Sequence, residues 1–213
     1  MGRGRSAGYL DQRETILAQA AALFARGGYP GTSMNQVAQA CGLSKATLYH
    51  YYRDKYDLLV SIADSHVSRL QAAVGESLAR EDQPAARMRL LIRRLVEEYA
   101  DAQNAHRVLT EDVRFLEPAD RERILDKERE VVDGFARVVA ALRPDLQEQA
   151  LDKPLTMLLF GMVNWLFTWM KPDGPLDYDA MAPIVADLFL GGLGAVNSPM
   201  KAESAAGAGS SSA

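Results

Sequence analysis

The densest run of chemically capable side chains lies between Thr32 and Lys55, TSMNQVAQACGLSKATLYHYYRDK. Hydroxyls, amides, two lysines, a histidine and three tyrosines stand close together there. That mixture suits hydrogen bonding to phosphate oxygens and base edges. Ser33 and Ser44 each stand where a short helix would begin, and a helix start at Ser44 aims backbone N–H groups at a phosphate. Tyr49, His50, Tyr51 and Tyr52 are consecutive, so they cannot all share one helix face and some must be exposed. Elsewhere there is no glycine-rich phosphate loop and no nucleophile elbow. His66 and His106 read as isolated, and no His-x-x-x-His or paired-cysteine spacing predicts a metal site. Glu97-Glu98 and Glu128 to Glu130 read as solvated helix faces. The single cysteine, Cys41, excludes an intrachain disulfide and reads as a small packing residue. Neither catalysis nor a bound cofactor is expected.

The elements that position these residues read as helices throughout. Ile16, Leu17, Ala20, Leu23 and Phe24 mark one face of a helix from about Asp11 to Arg26, which Gly27-Gly28 stops. A short helix follows Ser33 and ends at Gly42, where a left-handed turn is predicted. The next runs from Lys45 to His50, with Leu43 and Leu48 inward beside Val37 and Ala38. A long helix opens at Asp54 and reaches about Arg80. Pro84, Pro118 and Pro154 each fit the first turn of a later helix; a short helix spans His106 to Phe115, and a last one runs from Tyr178 to Leu190, stopping at Gly191-Gly192. The spacing therefore predicts an all-α chain of nine helices. Residues 1–10 are expected as a flexible basic arm, 11–55 as a helix-turn-helix domain and 56–197 as a second helical domain. Residues 198–213, rich in Ser, Ala and Gly, are expected as a disordered tail.

Composition agrees with an ordinary globular chain: 213 residues, 48% apolar and 24% charged. Residues 1–60 hold seven Lys/Arg against four Asp/Glu, whereas the remainder holds 17 against 24. A basic module on an acidic body suits a polyanion partner at one end. The longest apolar run, Leu155 to Met170, is interrupted by Thr156, Gly161, Asn164 and Thr168, so no membrane span is expected. A cytoplasmic location is the simplest expectation.

The stretch GLSKATLYHYYRDKYDLL resembles the DNA-binding signature of TetR-family repressors, and LFARGGYPGTS and VAQACG upstream fit the same pattern; the likeness covers residues 11–60. It implies a helix-turn-helix domain of three helices, a larger ligand-binding and dimerisation domain, and double-stranded operator DNA as partner. By position, Thr32 and Ser33 would bond phosphate at the start of the second helix, and Asn35 a base or phosphate. Ser44, Lys45, Ala46 and Thr47 would lie at the groove-facing start of the recognition helix. Tyr49 would contact phosphate, His50 and Tyr51 the backbone, and Lys55 a phosphate at the start of the fourth helix. Tyr52 falls on the family's packed aromatic. With one basic residue in the recognition helix and alanine at position 46, direct base readout is thin.

For the rest of the chain the resemblance implies a ligand pocket and a homodimer through the last two helices. TMLLFGMVNWLFTWM is apolar all round and must be covered on several sides. LLFGMVNWLFTWMKPDG resembles TetR-type regulators that sense coenzyme A thioesters, and LTEDVRFLEPADRERILDKEREVV is similar to repressors of phenylacetate degradation, which respond to phenylacetyl-CoA. The implied effector is an acyl-CoA thioester: Tyr99, Phe115, Phe160, Trp165 and Trp169 would wall an aromatic slot, Asn164 would meet the thioester carbonyl, and Arg107 and Arg114 the phosphates. Two alternatives stay open. Trp165 and Trp169 could form a core stripe with Phe160 and Met162, and the chain could instead be an efflux regulator that binds diverse amphipathic drugs.

Overall fold

The computed structural model describes residues 7–80, 83–170 and 176–197. The chain forms α1 (Ala7–Gly27), α2 (Met34–Ala40), α3 (Lys45–Tyr51), α4 (Lys55–Leu78), α5 (Pro84–Asp101), α6 (Gln103–Asp112), α7 (Pro118–Leu142), α8 (Pro144–Gln147), α9 (Asp152–Trp169) and α10 (Tyr178–Ala195). A 3-10 turn, Val113–Phe115, follows α6, and no strand occurs among the described residues. The all-α expectation holds, with ten α-helices among the described residues rather than nine. The addition is α8, a single turn begun by Pro144. Two ends also differ. The first helix starts at Ala7, inside the arm expected to be flexible, because Tyr9 stacks on Tyr51 with ring centroids 4.9 Å apart. The last helix runs through Gly191-Gly192 to Ala195. Arg143 explains that extension: its guanidinium donates to the carbonyls of Leu193 (2.6 Å) and Val196 (3.0 Å). Such charge-assisted bonds offset the roughly 1 kcal/mol that each helical glycine costs. Residues 171–175 and the expected tail at 198–213 lie outside the described residues, as do the arm's first six positions.

Local chemistry fixes the helix starts. Ser33 accepts from the Gln36 N–H (3.3 Å) while Gln36 Oε1 accepts from the Ser33 N–H (2.8 Å), a reciprocal capping box. Ser44 accepts from Thr47 N–H at 3.0 Å. Asp54 accepts from Asp57 N–H at 2.7 Å, and the Arg53 N–H returns to Asp57 at 3.0 Å. Gly42 takes φ 65°, the left-handed turn predicted for it.

Packing divides into two apolar clusters. One unites α1, α2 and α3 with the first half of α4 and with Val108, Leu109, Leu116 and Ile124 from α6 to α7. The other joins the second half of α4 to α5, α7, α9 and α10. The boundary expected at residue 55 is therefore no break in packing: Leu58, Leu59 and Ile62 of α4 belong to the N-terminal core. Helix α4 thus threads both halves, and polar contacts stitch it to α7. Tyr56 Oη accepts from the Glu117 N–H (2.9 Å) and donates to Asp120 (2.8 Å). Lys127 donates to Asp64 (2.7 Å) and Ser68 (2.8 Å), and Arg123 pairs with Asp64.

Candidate functional site

The helix-turn-helix is assembled from two seven-residue helices around Val37, Ala38 and Leu48, all buried. With Leu48 inward, α3 presents Lys45, Ala46, Tyr49 and His50 to solvent. Ser44 and Thr47 hydroxyls join at 2.8 Å at its N-terminus. The Lys45 ammonium lies 5.9 Å from the Tyr49 ring centroid, so cation and aromatic face present themselves together. Ser33 and Asn35 are exposed at the start of α2. This face can offer N–H, O–H and ammonium donors to a row of phosphates.

Three of the expected DNA-contacting residues have their side chains engaged within the fold. Thr32 is buried and its hydroxyl donates to the carbonyls of Leu23 (3.3 Å) and Gly28 (3.1 Å). Tyr51 is half-buried against Tyr9. Lys55 donates to the carbonyls of Tyr29 (2.9 Å) and Pro30 (3.3 Å) and sits 4.4 Å from the Tyr29 ring centroid. Lys55 therefore pins the loop between α1 and α2 to the start of α4. Tyr52 packs as read, fully buried, with the Arg13 guanidinium 4.6 Å from its ring centroid. Arg53, absent from the sequence-derived set, is an exposed cation beside this face, paired with Asp54 at 3.0 Å.

A second feature lies between α4, α5, α6, α7 and α9: a cavity of about 470 Å³, within the range of small-molecule sites. Val67, Leu70, Leu109, Leu125, Val131 and Phe160 supply apolar wall. Tyr99, His106, Thr110, Glu128 and Asn164 supply the polar groups, while Arg129, Val132, Asp133, Lys153 and Met157 complete the lining. Of the expected ligand residues, the structure brings Tyr99, Phe160 and Asn164 to this cavity. The others fall elsewhere, for reasons of helical register. Arg107 lies one residue from inward His106, points outward and pairs with Glu111 at 2.9 Å. Arg114 is exposed over the Phe115 ring, and Phe115 packs on Tyr29 in the N-terminal cluster at 5.5 Å. Trp165 and Trp169 are 67% and 51% exposed, so they neither wall the cavity nor form a core stripe with Phe160.

Two readings of single residues are corrected here. Glu128 is half-buried on the cavity wall rather than on a solvated face, and burial pushes its carboxyl above the usual range. His66 and His106 are not isolated: His66 Nε2 meets His106 Nδ1 at 3.2 Å, buried, with His106 stacked on Tyr99 at 3.7 Å. Burial lowers His66 to about 3, helped by His106 and Arg69, and His106 to about 4. Both imidazoles are neutral at physiological pH, and Tyr99 is pushed up, by burial first and then by Glu128. Among the described residues no group of three or more His, Cys, Asp or Glu could hold a metal. No helix among them is long and apolar enough to cross a membrane. Sequence spacing gave no sign of His106, Thr110 or Glu128 at the cavity, because α4, α5, α6, α7 and α9 meet only in the tertiary structure.

Comparison with known proteins agrees with this two-part architecture. Residues 16–62 match the bacterial regulatory proteins of the tetR family, and residues 81–193 match the tetracyclin repressor-like C-terminal domain. A TetR-family transcriptional regulator from Bordetella parapertussis 12822 superposes with a TM-score of 0.80 at 35% identity, over 87% of this chain and 97% of that one. AibR, solved in complex with isovaleryl coenzyme A and operator DNA, superposes with a TM-score of 0.71 at 25% identity, over 83% and 97% of the two chains. The transcriptional activator FasR of Mycolicibacterium smegmatis is 22% identical over 86% of this chain and 83% of its own. With both halves matched and the fold shared, this chain belongs to the TetR family of transcriptional regulators.

Proposed function

We propose that this regulator is a repressor which binds a palindromic operator as a homodimer and is released by an acyl-CoA thioester seated in the cavity between α4 and α9. The observation that carries the effector reading is the cavity itself. Its wall is mostly apolar, and two cations, Arg129 and Lys153, stand among its lining. An acyl group fits such a wall, and cations at the opening suit the phosphates of CoA. Both are engaged in the free protein, Arg129 with Glu122 and Asp126 and Lys153 with Asp133 at 2.8 Å. All these pairs are more than a third exposed, so exchanging them for phosphate costs little. The neighbour AibR, with isovaleryl coenzyme A and operator DNA bound, supports the same class of ligand. Phenylacetyl is the acyl group implied by the likeness of residues 109–132 to repressors of phenylacetate degradation. Phe160 and the Tyr99–His106 stack offer it aromatic contact.

The DNA-binding set is Ser33, Asn35, Ser44, Lys45, Ala46, Thr47, Tyr49 and His50, with Arg53 added and with Thr32, Tyr51 and Lys55 acting by holding the domain's shape. The dimer forms on the outer faces of α9 and α10. Leu158, Trp165 and Trp169 on one helix and Ile184 and Leu188 on the other are each at least 41% exposed. Their spacing at 158, 165 and 169 and at 184 and 188 makes two adjacent apolar stripes, the pattern of a bundle shared across a two-fold axis.

Isothermal calorimetry of the full chain with phenylacetyl-CoA, phenylacetate and CoA tests the effector. Binding of the thioester at tens of micromolar or tighter, with loss of operator binding, is expected. If no CoA thioester binds while amphipathic drugs do, the efflux-regulator reading replaces it.

A further inference from the structure

The polar groups on the cavity wall are unusual in what they lack. Asn164 Oδ1 is buried with no hydrogen-bond partner among the described residues. Glu128 is half-buried on the same wall, and its carboxyl keeps an acceptor oxygen in either protonation state. The nearby cations do not relieve it: Arg129 turns to Glu122 and Asp126, and Lys153 to Asp133. A buried acceptor left without a donor costs more than a formed hydrogen bond returns. A hydrocarbon ligand filling this space would exclude water and leave both acceptors stranded.

We propose that Glu128 and Asn164 read a hydrogen-bond donor on the effector, so that the cavity selects ligands carrying an N–H or O–H on the part it encloses. This rests on the cavity's being the effector site. Two sources can supply the donor: an amide N–H of the pantetheine arm, common to every CoA thioester, or a hydroxyl on the acyl group. In the first case Glu128 and Asn164 recognise the carrier and tolerate many acyl groups. In the second they choose a hydroxylated acyl group over its plain counterpart. Discrimination of this kind is large because a site built to bond a donor leaves its own groups unpaired when the donor is missing. One unmatched buried acceptor corresponds to about tenfold in affinity.

The test is calorimetry of the full chain with three matched pairs, each differing by one donor. 3-Hydroxybutyryl-CoA against butyryl-CoA reports the hydroxyl. S-phenylacetyl-N-acetylcysteamine against its N-methyl derivative reports the amide. 2-Phenylethanol against ethylbenzene reports a donor with no part of CoA present. The wild type should favour the donor-bearing member of at least one pair by about tenfold. Glu128→Leu and Asn164→Leu should abolish that preference, whereas Glu128→Gln, which keeps an acceptor oxygen, should retain it. Matching thermal midpoints of the variants exclude misfolding as the cause. Equal affinities within every pair, or a preference that survives both leucine variants, overturn the inference. CoA thioesters that bind while none of the three pairs is discriminated would refute it and leave the acyl-CoA reading intact. Discrimination in the phenylethanol pair with no CoA thioester bound would do the reverse. If no probe binds, the cavity is not the effector site and both readings fall.

Discussion

Acidification should destabilise this protein through two residues, and the magnitude follows from their burial. His66 and His106 are 1% and 2% exposed and are held neutral, at about 3 and about 4. In the unfolded chain each titrates near 6.5. Between those limits the unfolded state takes up protons that the folded state refuses, so stability falls with pH. The contribution is complete above about pH 7 and is lost progressively below about 6.5. Linkage gives a loss of about 2 kcal/mol per histidine between pH 7 and pH 5. For a domain whose whole stability is about 5–15 kcal/mol, that is a large share. Glu128 and Asp112 act with the opposite sign. Burial raises both carboxyls, so they gain stability as pH falls through their raised values. Asp54 and Asp120 are lowered, chiefly by hydrogen bonds from the Asp57 N–H and the Tyr56 hydroxyl, and lose stability only in more acidic solution. The measurement is urea unfolding at pH 7.5 and pH 5, at fixed protein concentration and ionic strength, for wild type and His66→Leu. The variant should show about half the imidazole-driven loss, since only His106 remains to titrate. An identical pH dependence in both proteins would refute the assignment of the loss to this pair.

Lys45→Ala should weaken operator binding and reduce the slope of log affinity against log salt by about one unit, with no change in thermal midpoint; fluorescence anisotropy across a salt series reads it, and an unchanged slope removes Lys45 from the phosphate set. Lys55→Ala should instead lower stability by about 1–2 kcal/mol, because two carbonyl bonds and the Tyr29 contact go; an undisturbed denaturation midpoint would contradict its role as an anchor. Gly134→Ala should cost about 1–3 kcal/mol, since a Cβ there would overlap Val74 Cγ1 where α4 crosses α7; wild-type stability would mean that Val74 yields freely. Leu188→Arg, on an α10 residue 65% exposed, should convert a dimer to a monomer in sedimentation velocity at micromolar concentration, and a wild-type monomer would refute the dimer outright.

The sequence by itself determined the helical elements and the DNA-binding motif, because both are local. Caps at Ser33, Ser44 and Asp54 reach three residues ahead, and the turn at Gly42 needs only a backbone freedom that glycine supplies. The inward choice of Val37, Ala38 and Leu48 follows from helical period over a few turns. Even here, what the side chains hold was decided by distant contacts: Lys55 is bound to a loop some 25 residues away, and Tyr51 to Tyr9. The cavity between α4, α5, α6, α7 and α9 was beyond local reasoning altogether. Helix α9 is apolar on all sides, so its sequence does not say which face is inward, and one residue's step turns the side chain by about 100°. Asn164 therefore lines the cavity while Trp165 stands in solvent, and on α6 His106 turns in while Arg107 turns out. Likewise His66 and His106, forty residues apart, become a hydrogen-bonded pair only when α4 and α6 pack together. Periodicity fixes which residues share a face, but only the packing of five helices decides which faces enclose a space.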